Sequence, residues 1–208
     1  MVAALERVHA RIRALAWPSL VGEPVHGPAV ASRIFLLGQA PGPHEARFGR
    51  PFAWTAGRTL FSWFERAVGA GEEAVRARVY LSAVVRRFPG KGPGGGDRLP
   101  SPEEILAYRP FIEAEIAALR PRLVIPVGRL AIAEVLGEDR LLKDVVGRCL
   151  SVRFHGRRLD VIALPHPSGA STWFKLEPGK TLLARALGLL ARHPEVRRAF
   201  PRRPSRAR

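Results

Sequence analysis

The chain has 208 residues, enough for one well-filled domain and too few for two full ones. Its 47% hydrophobic and 25% charged residues are the balance of a folded domain, but the net charge of +16, from 34 Lys and Arg against 18 Asp and Glu, favours a polyanionic partner. A composition biased toward Arg would produce the same excess without any partner. Cys149 is the single cysteine, which excludes an internal disulfide and any four-cysteine metal or iron–sulfur site.

In chain order, residues 1–16 interleave Arg7, Arg11 and Arg13 with Leu5, Val8, Ile12 and Leu15, the period of an amphipathic helix with no apolar leader core. No segment is apolar for long enough to span a bilayer, so the expected location is cytoplasmic, with no membrane partner. Residues 34–37 (IFLL) form a short apolar run ended by Gly38, as a buried parallel strand would be. A helix is predicted over 56–68, a second strand over 79–85, and a helix opened by Ser101 as N-cap, with Pro102, Glu103 and Glu104 in its first turn. Residues 123–127 read as a third buried strand and 129–136 as the helix that Gly128 opens. Residues 150–164 hold one or two strands, and 181–191 the last long helix. Strands alternating with helices predict a three-layer α/β/α sandwich around a central, mostly parallel four-stranded sheet. One domain is expected over 1–191. Residues 192–208, with seven Arg against the single acid Glu195, are expected to form a basic, flexible tail.

In such sheets ligands lie beyond the carboxyl ends of the strands, which singles out the loops at 38–55, 86–101 and 165–178. The first reads GQAPGPHEARFGRPF over 38–52. Its glycines allow backbone N–H groups to turn toward a bound group, yet it lacks the GK[ST] ending of a Walker loop and is too long for a dinucleotide fingerprint. Phe48, Phe52 and Trp54 on a polar loop read either as a base-stacking platform or as a lid on the core. The glycine-rich segment 90–96 (GKGPGGG) is of low complexity.

This loop resembles the first motif of the uracil-DNA glycosylase superfamily, in particular its thermophile-type branch, which carries an iron–sulfur cluster. Further blocks match in the same order: residues 80–87 (YLSAVVRR), 100–105 (PSPEEI), 119–128 (LRPRLVIPVG) and 164–168 (LPHPS). The resemblance covers roughly residues 30 to 190 and implies a DNA base-excision enzyme that hydrolyses the N-glycosidic bond of uracil after flipping it from the helix. It implies His166 as the donor to the charge that develops on the leaving base, Phe52 as the ring stacked on that base, and Gly38, Gln39, Ala40, Pro41 and Gly42 as pocket wall. Glu45, with Gln39, is the candidate for orienting water; its other reading is an exposed loop acid near Arg47. His44 is a weaker second candidate. Arg50, Arg86, Arg87 and Lys91 are candidate phosphate contacts, as are the small residues Ser168, Gly169, Ala170 and Ser171.

Three departures limit the match. The cluster cysteines are absent, with Arg87 and Tyr108 at two of their positions, so no cofactor and no metal is expected. Ser82 and Ala83 stand where the relatives read uracil with an Asn amide, which leaves hypoxanthine and xanthine open as substrates. The wedge position after His-Pro-Ser holds small residues, with Trp173 and Phe174 the nearest large ones. A monomer is expected, acting on DNA containing a deaminated base. A non-catalytic damaged-DNA binder and a nucleotide-binding protein remain alternatives.

Overall fold

The computed structural model describes residues 1–201. A five-stranded sheet in the order β2-β1-β3-β5-β4 forms the middle layer. Strands β1 (Ile34–Gly38), β2 (Tyr80–Ala83), β3 (Leu123–Pro126) and β5 (Arg157–Val161) run parallel, and β4 (Leu150–Phe154) lies antiparallel at the edge. Every residue of β1, β2 and β3 is buried, as strands covered on both faces require. Alternation then divides their side chains between two cores. Ile34 and Leu36 pack with Leu60, Phe61 and Phe64 of α2 (Thr55–Val68) and Leu183 and Leu187 of α7 (Gly179–Arg192). Phe35 and Leu37 pack with Leu5 and Ile12 of α1 (Val2–Ala14) and Ile112 and Ile116 of α4 (Pro102–Leu119). Three layers result, as the alternation of strands and helices predicts.

The start of α4 follows its sequence signature. Ser101 Oγ accepts from the Glu104 N–H at 3.2 Å while Glu104 accepts from the Ser101 N–H at 2.8 Å, a reciprocal capping box behind Pro102. Shorter helices α3 (Glu72–Arg76), α5 (Arg129–Leu136) and α6 (Leu142–Val145) complete the connections.

Two expectations are corrected. The sheet has five strands, not four, because residues 150–161 form a hairpin turning at His155 and Gly156, both at positive φ (43° and 73°). As an edge strand β4 alternates exposed and covered residues, so it has no continuous apolar run to mark it. Past residue 192 the chain first forms α8 (Pro194–Ala199), in which Val196 is fully buried and His193 accepts from the Glu195 N–H as N-cap. The remainder of the expected tail, 202–208, lies outside the described residues.

No helix among the described residues is long and apolar enough to cross a membrane.

Candidate active site

Parallel strands that stop in register leave their carboxyl ends side by side. Gly38 pairs with Ala83 at the ends of β1 and β2, and Val127 bridges Leu164 beyond β3 and β5. Above these ends lies a cavity of about 650 Å³, walled by residues 38–45, Phe52, Trp54, Ala83, His166, Ser168 and Ala170 among others. The loop after β1, the end of β2 and the His-Pro-Ser segment therefore meet in one place.

Phe52 is held there against its own conformational preference. It sits at φ 56°, a left-handed conformation that costs a non-glycine residue about 1–2 kcal/mol. Two features hold it. Arg76, only 6% exposed, donates from Nη1 to the Pro51 carbonyl and from Nη2 to the Phe52 carbonyl, each at 2.9 Å. Gly57 admits the Phe52 carbonyl so closely that a Cβ at position 57 would stand 1.8 Å from its oxygen. The Phe52 ring then lies over Gly38, where a Cβ would meet its Cζ at 2.7 Å. The glycine that ends β1 thus makes room for an aromatic ring.

Glu45 lies within a 3-10 turn (Glu45–Arg47), and both its carboxylate oxygens are engaged. Oε2 accepts from the Gly42 N–H at 2.6 Å and Oε1 from the Ala53 N–H at 2.9 Å. Burial raises its pKa, and these backbone donors oppose the rise. The exposed-acid reading fails, since Glu45 ties the two halves of the loop together. Glu45 also lines the cavity, and a carboxylate has about four acceptor sites, more than its backbone donors fill.

His166 is positioned by backbone. Its Nδ1 accepts from the Ser168 N–H at 3.3 Å, so the proton of the neutral ring sits on Nε2. Burial lowers its pKa, which keeps the imidazole neutral at physiological pH. Gly128, at φ 87°, lets the ring lie close: a Cβ there would come within 3.1 Å of His166 Cδ2. The result is a neutral imidazole on the cavity wall whose Nε2–H has no partner among the described residues.

Several expected site residues lie elsewhere. Ser82 is buried on the opposite face of β2, donating to Glu115 at 2.8 Å, because neighbouring strand residues point to opposite sides and only Ala83 can face the cavity. Arg86 is not a DNA contact: it is 1% exposed and paired with Glu115 at 2.6 Å, in a buried network completed by Tyr80 and His9. Arg50, paired with Glu72 and Glu73, and Lys91, paired with Asp97, are outside the cavity wall, but their side chains stay partly exposed at the surface. Ser168 and Ala170 line the cavity, whereas Gly169 and Ser171 do not. Trp173 and Phe174 are partly buried against the core, Phe174 edge-on to Trp63 at 5.2 Å.

The positions where the resembling branch carries cluster cysteines do not fit a cluster. Arg87 donates to the Leu15 and Gly22 carbonyls, Tyr108 is fully buried, and Cys149 is exposed on a different segment. The guanidinium of Arg87 instead ties the segment after α1 to the end of β2. Two contributors had no marker in the sequence, Arg76 and Gly57. Arg76 lies in a charged helix and acts from 24 residues beyond Phe52, so only the fold brings it to the loop.

Residues 24–188 match the family described as the uracil DNA glycosylase superfamily. The chain is similar to the Type-4 uracil-DNA glycosylase of Pyrobaculum aerophilum, 31% identical over 139 residues that cover 65% of this chain and 66% of that protein. It is also similar to the Type-4 uracil-DNA glycosylases of Archaeoglobus fulgidus, 28% identical over 141 residues covering 66% of each chain, and of Saccharolobus solfataricus, 26% identical over 143 residues covering 67% of this chain and 62% of that one. The matched stretch thus spans just under two thirds of these relatives' length. With the family matched over most of its residues and the motif segments gathered around one cavity, the chain belongs to the uracil DNA glycosylase superfamily.

Proposed function

We propose that this protein is a DNA base-excision glycosylase that hydrolyses the N-glycosidic bond of a flipped deaminated base, uracil in the first place. The observation that carries the reading is His166: a neutral imidazole, fixed by the Ser168 N–H, with its Nε2 proton free at the wall of a cavity large enough for a nucleobase. Breaking the bond between base and deoxyribose moves an electron pair onto the base. A donor already aimed at the ring carbonyl stabilises that charge without reorganising. Phe52, held over Gly38, offers a face on which the base stacks. Glu45, braced by Gly42 and Ala53, supplies the acceptor that holds the attacking water on the sugar side, with Gln39 beside it on the cavity wall. Backbone at 38–42 closes the pocket, and Ser168 and Ala170 let a phosphate approach closely. The relatives named Type-4 uracil-DNA glycosylase support the same activity. No step needs a metal or an organic cofactor.

A second reading is favoured by Ala83. Its methyl group is all that β2 offers to the base, so the Watson–Crick edge of uracil meets no side-chain amide from that strand. The pocket on this reading takes another deaminated base, hypoxanthine or xanthine. Oligonucleotides carrying a single uracil, hypoxanthine or xanthine, incubated with excess protein at low salt and then cleaved with alkali at any abasic site, separate the two readings. Release of free uracil supports the first, and release of hypoxanthine or xanthine alone supports the second. Cleavage of none of them would leave a damaged-DNA binder without turnover.

A further inference from the structure

Two aromatic rings stand in solvent beside the cavity. Among the described residues, Phe48 at 47% and Trp54 at 48% are the aromatic side chains left exposed. They stack on one another with centroids 5.9 Å apart and planes 27° apart, and His44 lies 4.9 Å from Trp54. His44 and Trp54 belong to the cavity wall and Phe48 does not, so the rings run outward from the mouth. Leaving such area in water forgoes the gain from burying it, and packing gives no reason for it.

The shelf is also held firmly. Phe48 and Gly49 both donate backbone hydrogen bonds to the Glu45 carbonyl, and the Glu45 carboxylate is itself fixed by Gly42 and Ala53. Two arginines neighbour it along the chain. Arg47 precedes Phe48, and the Arg58 N–H donates to the Trp54 carbonyl one helical turn back; both side chains are exposed, and neither forms an ion pair among the described residues. Exposed stacked rings on a hydrogen-bonded turn, carried by a chain with exposed arginines near them in sequence, match the chemistry of unpaired nucleobases on a phosphate backbone, because a base can stack on a side chain only when its own stack is open.

We infer that His44, Trp54 and Phe48 form a stacking shelf for the unpaired base next to the extruded nucleotide, with Arg47 and Arg58 meeting its phosphates. The protein then engages single-stranded DNA in preference to duplex. This rests on the reading of the cavity as a DNA base pocket and adds the strand form that the pocket receives.

The test uses the full chain and lesion-free DNA, so that it is independent of cleavage. Binding of a labelled single strand of about a dozen nucleotides, and of the duplex of the same sequence, is measured by anisotropy for the parent, Trp54→Ala, Phe48→Ala and Trp54→Phe. Trp54→Ala should weaken single-strand binding roughly 5- to 100-fold, Trp54→Phe should stay within about threefold, and duplex binding should change by less than about threefold. Tryptophan fluorescence should be quenched when the parent binds unlabelled oligo-dT, and most of that quenching should vanish in Trp54→Ala. Because Trp54 is half exposed, thermal midpoints should match. Unchanged single-strand binding in Trp54→Ala, or equal losses on single strand and duplex, would overturn the inference. So would a parent dimer dissociated by Trp54→Ala, which would make the shelf a contact between two copies. Absence of cleavage on every damaged base, with stacking intact, would count against the glycosylase reading alone.

Discussion

Replacing Arg76 with Met keeps much of the volume and removes the guanidinium that holds Phe52 in place. Two hydrogen bonds from a charged donor to the Pro51 and Phe52 carbonyls are lost, each at 2.9 Å and each worth about 1.5–3 kcal/mol. The pair with Glu72 at 2.8 Å goes as well, for about 0.5 kcal/mol, since Glu72 is one-third exposed. So does the stacking of Arg76 on the Phe61 ring at 4.6 Å. Against these stands the desolvation of Arg76, which is relieved and which already lowers its pKa. A net loss of about 2–4 kcal/mol remains, a midpoint fall on the order of 5–15 °C for a chain of this size. The functional consequence is more specific. Without the two bonds, Phe52 at φ 56° relaxes and its ring leaves Gly38. On the proposed function, base release should then lose the stacking of one base, roughly 5- to 100-fold in kcat/KM, as Phe52→Ala should. The assay is single-turnover base release by Arg76→Met, Phe52→Ala and the double variant. In the double variant, the loss in kcat/KM should equal that of Phe52→Ala alone, because Arg76 acts through Phe52. Losses that multiply, or Arg76→Met with the parent's activity, would refute the reasoning.

Other predictions follow from the same geometry. Gly128→Ala places a Cβ within 3.1 Å of His166 Cδ2 at φ 87°; it should cost about 1–2 kcal/mol in denaturant unfolding and slow base release by more than that loss explains. Ser101→Ala removes the α4 cap and should lower the unfolding free energy by about 1 kcal/mol while base release is unchanged. Burial holds the pKa of His166 below 6.5 and that of His9 at about 3, so below pH 6.5 the unfolded chain binds protons that the folded chain refuses. Stability should therefore fall as pH drops from about 7 to 5, a slope measurable by urea unfolding and shallower in His9→Gln. Glu45, whose pKa is raised, acts in the opposite sense nearer the carboxylate range.

Much of the fold was legible because its signals are local. The apolar run at 34–37 and the Ser101–Glu104 cap each declare an element within a few residues. The β4–β5 hairpin did not, since an edge strand is half exposed and its turn uses His155 rather than Asn or Asp before Gly156. The candidate site divides in the same way. Gly38, Phe52 and His166 belong to segments whose spacing can be read, but which of Ser82 and Ala83 faces the cavity depends on the register of β2. Arg86 illustrates the other limit: a basic residue beside a glycine-rich loop reads as a phosphate contact until Glu115, 29 residues away, closes on it. Arg76 is missed for the same reason, as its partners are backbone carbonyls that no sequence pattern marks.

The central claim is that the neutral His166 imidazole donates to the charge developing on the excised base. Its most direct measurement is the single-turnover rate of uracil release from a uracil-containing single strand, at enzyme excess, for the parent and His166→Ala. Loss of one such donor predicts a fall of about 100- to 1,000-fold with the fold intact by circular dichroism. A His166→Ala rate within a few-fold of the parent, at equal folding and equal DNA binding, would contradict it.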